Sequence, residues 1–195
     1  MTTLKEKEPA KVEANSRLTS AVAVVIFVML AVEGVTILQL RSLLGAHVFI
    51  GVALIPPVLV KIASTGWRFA RYYLGDAAYR KKGPPNIILR LLGPFVVVLT
   101  VTVIASGVVL VYTHAGRDFF LTVHKASFIL WLGAMTLHVL GHGIETMSFA
   151  PRDWLARSRR QVSGASLRQW IVVSSLAVGL VLGAVVVPHA ASWWN

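Results

Sequence analysis

The stretch Phe120–Glu145, FLTVHKASFILWLGAMTLHVLGHGIE, is apolar over most of its length yet carries three of the chain's six histidines, His124, His138 and His142. It exceeds the ~20 residues that a helix needs to cross ~30 Å of hydrocarbon. Imidazole is costly in that environment, so histidines inside a span mark a functional site. At ~100° per residue, His138 falls about 40° short of four full turns beyond His124. The two therefore share a face, roughly 21 Å apart along the axis.

Working outward, the 195-residue chain is 56% hydrophobic with a mean hydropathy of +0.71. Five apolar runs, about 18–40, 44–64, 88–112, 120–145 and 170–187, predict an all-α integral membrane protein. The second run contains Pro56-Pro57. The first is too long for a signal-peptide core and lacks a small-residue cleavage site, so it is expected to be retained. Residues 1–17 mix Lys and Glu and read as a disordered cytoplasmic tail. Residues 18–190 form a single transmembrane domain, and 191–195 a short outer tail.

The net charge of +11 lies mostly between the runs. Eleven basic residues, among them Arg68, Arg71, Arg80, Arg90, Arg152 and Arg168, fall in the second–third and fourth–fifth connections. Only Arg41, Arg117 and Lys125 sit at the other end. The positive-inside rule then predicts a plasma-membrane protein with a cytoplasmic amino terminus and an outer carboxyl terminus. Charge placed this way meets anionic lipid rather than nucleic acid. Trp170 is expected at the inner interface and Trp193-Trp194 in the outer belt. There is no cysteine, which excludes disulfides, thiolate clusters and covalent haem attachment and leaves histidine as the natural haem ligand.

In this topology His47 and His124 begin the second and fourth helices at the same depth, both running outside to inside. Two imidazoles on neighbouring helices can hold one iron from opposite faces of a porphyrin, so His47 and His124 are the candidate metal ligands. His138 is a candidate cofactor-binding residue in the inner half. Fourteen residues after His47 stands Lys61, which either ligates an inner haem as a neutral amine or snorkels to the headgroups. Gly93 and Gly107 share the fourteen-residue spacing, and with Gly51 and Gly34 they either clear a porphyrin or serve ordinary helix packing. His142 is expected to ligate, to hydrogen-bond or to sit in the interface, whereas His114 and His189 read as solvated. Glu33 is expected to pair with Arg41 or to carry a proton. Arg41, Arg117 and Lys125 would neutralise outer haem propionates, and Arg68 and Arg90 those of an inner haem.

His47-Val-Phe-Ile-Gly51 with Trp67 beyond it, together with HKASFILWLGAMTLHVLGH on the fourth helix, resembles the small bacterial b-type cytochromes, the cytochrome b561-like membrane subunits. The resemblance covers residues 40–145. It implies a four-helix haem-binding bundle and haem b, one firmly held with a second in question. It also implies electron transfer between a quinol pool and a partner redox subunit, with quinone as the small molecule. Lys61 departs from the pattern, because a fourth histidine is expected there.

No nucleophile triad, P-loop or dinucleotide motif is present, so any catalytic domain would be another polypeptide and this chain an electron-transfer subunit rather than a complete enzyme. The alternative expectation is a haem-free transporter or a scaffold subunit of a larger membrane complex.

Overall fold

The computed structural model describes residues 9–83, 86–113 and 117–193, with the side chains of 191–193 left aside. Residues 1–8, 84–85, 114–116 and 194–195 lie outside the described residues, His114 and Trp194 among them. The helices are α1 (Ala10–Leu38), α2 (Leu40–Ala53), α3 (Ile55–Tyr73), α4 (Ala77–Lys82), α5 (Ile87–Tyr112), α6 (Arg117–Phe149), α7 (Ala156–Arg159) and α8 (Ala165–Val186). A 3-10 turn, Ala150–Asp153, follows α6, and another, Val187–Trp193, follows α8. No strand occurs among the described residues. By length and composition five segments can cross a membrane, α2 and α3 together forming one of them. Their outer surfaces agree with a hydrocarbon setting, for Leu38, Leu140 and Ile144 are 83%, 75% and 91% exposed.

The first helix starts earlier than the sequence suggests. Residues 10–17, read above as part of a disordered tail, are the first turns of α1, and Val12, Glu13, Ser16 and Arg17 are buried. The cause lies far along the chain. Arg17 binds Glu13 Oε1 at 2.8 Å and Asp153 Oδ1 at 3.1 Å. Arg168 holds the same Asp153 carboxylate through two nitrogens, and Arg152 reaches Glu13 at 2.9 Å. Buried charges must be paired to be tolerated, and this network pins the start of α1 to the α6–α8 connection. The basic connections thus gather at one end, called here the basic end.

Pro56 and Pro57 open α3, where proline costs a helix little. Pro57 has no N–H to give the carbonyl of Ala53, so that oxygen lacks its usual helical partner. Gly179 of α8 lies directly against it: a β-carbon there would collide with the Ala53 oxygen. One turn on, a β-carbon on Gly183 would stand 2.7 Å from the Phe49 oxygen. Backbone thus meets backbone across a G-x-x-x-G pair, the packing that small residues give within membranes.

Around this contact the spans divide. Helix α8 lies against α2 and α3, whereas α5 runs along α6, joined through Val96, Leu99, Trp131 and Ala134. Helix α1 touches both groups. Between them, α1, the α2–α3 span, α5 and α6 enclose an apolar cavity away from α8.

Candidate functional site

Two histidines face one another across this cavity, one on each side. The rings of His47 (α2) and His124 (α6) have centres 6.3 Å apart and planes at 85°. Each is fixed through its Nδ1. His47 Nδ1 lies 2.9 Å from Glu33 Oε1 and 3.2 Å from Thr36 Oγ1, both on α1. The Thr36 hydroxyl donates to the Glu33 carbonyl at 2.6 Å, which leaves the carboxylate to accept the imidazole N–H. His124 Nδ1 lies 3.0 Å from the Val103 carbonyl and 3.2 Å from Ser106 Oγ, both on α5.

These partners decide the tautomers. A carbonyl or carboxylate only accepts, so Nδ1 carries the proton in each ring. A neutral ring then bears its lone pair on Nε2. Both rings are held in the form that a metal ligand requires, with the hydrogen bond behind the ligand that characterises such sites.

Gly107 explains how His124 reaches its carbonyl. A β-carbon at Gly107 would sit 3.1 Å from Cε1 and 3.4 Å from Nδ1 of the ring. The missing side chain gives the imidazole room one turn beyond Val103. A β-carbon on Gly51 would meet Glu33 Oε1 at 3.4 Å, so that glycine lies beside the carboxylate behind His47. Both glycines serve the rings and their partners in this structure. Gly34 and Gly93 have nothing within 4 Å of a β-carbon and make no close approach.

Apolar side chains form the rest of the cavity, with Leu30, Val103, Phe128 and Met135 among them. Trp131 also lines it; its indole N–H donates to Thr100 Oγ1 at 2.9 Å, which leaves no unsatisfied donor on that wall.

The other sequence candidates are arranged differently. His138 has His142 as its ring neighbour, at 4.8 Å on the same helix. Its Nδ1 is buried and has no hydrogen-bond partner among the described residues. Two imidazoles one turn apart on one helix approach a metal from the same side. Lys61 Nζ donates to the Thr19 carbonyl on α1 at 3.2 Å, so its side chain turns toward α1 rather than snorkelling outward. Arg68 pairs with Glu145 at 3.8 Å, and Arg90 bonds the Tyr73 hydroxyl. Glu33 pairs with His47 rather than with Arg41. His189 is exposed, its ring 5.2 Å from that of Tyr112.

Among the described residues no group of three or more His, Asp or Glu side chains could hold a metal ion; the arrangement is a pair. Sequence reasoning misses Thr36, Ser106 and the Val103 carbonyl. Thr36 carries a usable signal, lying one turn from Glu33 on the same face. No family model matches the chain. Comparison with curated proteins finds no similar sequence, and comparison with solved structures finds none either.

Proposed function

We propose that the chain is a membrane b-type cytochrome subunit that binds haem b between His47 and His124 and carries electrons between a quinol pool and a partner redox protein. One observation carries the reading: two imidazoles from different helices, each held through Nδ1 by an acceptor oxygen, have centres 6.3 Å apart. Imidazoles bind first-row metals at about 2.0 Å, which for two rings sharing one metal puts the centres roughly 6 Å apart.

Haem held by His47 and His124 would supply one-electron iron chemistry. The chain's part is to place it and exclude water. His47 and His124 are the ligands, Glu33 and the Val103 carbonyl hold their tautomers, and Leu30, Phe128 and Met135 supply apolar walls. Gly107 keeps the His124 ring seated. His138 stays outside this ligand pair, because among the described residues no imidazole from a second helix stands opposite it. The eleven-to-three division of basic residues supports a plasma-membrane orientation with the amino terminus in the cytoplasm.

The test is substitution of each ligand. His47→Ala and His124→Ala should each abolish stoichiometric haem in purified protein while leaving yield in the membrane unchanged. Full haem content in both variants would remove these residues from the site. A haem-free transporter or scaffold is the outcome if the unaltered protein takes up no haem.

A further inference from the structure

Glu33 is a carboxylate in the last two turns of a membrane-spanning helix, 9% exposed. Among the described residues its ion-pair partner is His47, and no lysine or arginine pairs with it. The Thr36 hydroxyl, which donates to the Glu33 carbonyl, stands 3.3 Å from Oε2. A buried carboxylate is costly unless a positive charge balances it. Elsewhere among the described residues the rule is kept: the buried Glu13 and Asp153 each contact arginine. Glu33 is the exception: its ion-pair partner is an imidazole, and one that ligates a metal would supply a hydrogen bond but no charge.

We propose that Glu33 is balanced by the occupant of the cavity, and that it sets the electron affinity of that occupant through His47. The inference rests on the haem reading above. Ferric haem b between two neutral imidazoles carries a net positive charge at its core; the ferrous form carries none. A carboxylate on the Nδ1 side of one ligand draws that proton toward itself and makes the imidazole a stronger donor. Both effects favour the oxidised iron. His124 lacks this feature, since its Nδ1–H goes to a neutral carbonyl. The site is thus asymmetric: one ligand is charge-assisted and the other is only oriented. Glu33 is a positioning and charge-setting residue, not a ligand.

Glu33→Gln separates charge from geometry, because the amide oxygen can still accept the N–H from His47. Haem-to-protein ratio, the optical redox titration and the low-temperature EPR spectrum of the ferric form should be measured on unaltered and variant protein. The variant is expected to keep its haem and to shift toward reduction at least tenfold, about 59 mV upward for a one-electron couple. Glu33→Asp keeps the charge and should move the potential less than Glu33→Gln does. Ser106→Ala, which alters a hydroxyl near His124, is the control and should move the potential less than Glu33→Gln as well. Haem bound in Glu33→Gln with an unchanged potential and EPR spectrum overturns the inference and leaves the haem reading standing. Unaltered protein that takes up no haem overturns both.

Discussion

Gly107 and His124 are in contact across the α5–α6 interface, and the glycine leaves no room for a side chain between its backbone and the ring. A β-carbon added there would stand 3.1 Å from Cε1, so even alanine would press on the imidazole. Leucine would displace the ring from the Val103 carbonyl and with it the direction of Nε2. Gly107→Leu is therefore expected to lose most of its haem while reaching the membrane at normal yield, and Gly107→Ala to lose less. The pyridine haemochrome assay per mole of protein measures this, and full occupancy in the leucine variant would contradict it.

The same reasoning makes His138 dispensable for haem. It has His142 beside it and, among the described residues, no imidazole from another helix opposite. His138→Ala should keep the haem content of the unaltered protein, and the redox titration of both should fit one component. A second component that vanishes in His138→Ala would establish an inner haem.

At the α8–α2 contact, Gly179 meets the Ala53 carbonyl freed by Pro57. Gly179→Leu must push α8 away, whereas Val178→Leu changes a side chain that is 51% exposed. Thermal unfolding in detergent should show the first variant clearly destabilised and the second within about 0.5 kcal/mol of the unaltered protein. Equal midpoints for the two variants would mean the helices do not meet there.

Asp153 balances Arg17 and Arg168, with its side chain 4% exposed. Asp153→Ala leaves two cations buried against one remaining carboxylate, Glu13. Breaking a buried pair from one side costs about 3–5 kcal/mol, so this variant should be among the least stable single changes in the chain. Equilibrium unfolding in mixed micelles tests it; a loss below about 1 kcal/mol would place the network at a solvated surface.

How much of the fold and site is legible in the sequence follows from which forces are local. The spans announce themselves because ~20 apolar residues are needed to cross hydrocarbon. The pairing of His47 with His124 is legible because each lies near the start of a helix running the same way. What sequence cannot supply are the relationships set by distant residues. The first turns of α1 look like tail until Asp153 and Arg168 are brought to Arg17. Glu33 looks closer to Arg41, three residues past the end of α1, than to His47. Yet the α1–α2 turn at Gln39 brings the Glu33 carboxylate to the imidazole. Lys61 fits a fourteen-residue spacing with His47, but the Pro56-Pro57 break falls between them and Lys61 bonds to α1 instead. Gly107 stands out in the sequence for its spacing, and its contact proves to be with the ring of His124.

The central claim is that His47 and His124 together hold one haem b through their Nε2 atoms. The most direct measurement is the haem stoichiometry of the purified chain together with the EPR spectrum of its ferric form. One haem per chain with a low-spin signal from two axial imidazoles is the expected result, lost in both His47→Ala and His124→Ala. Well-folded protein without haem, or a haem whose low-spin signal survives in either variant, would contradict it.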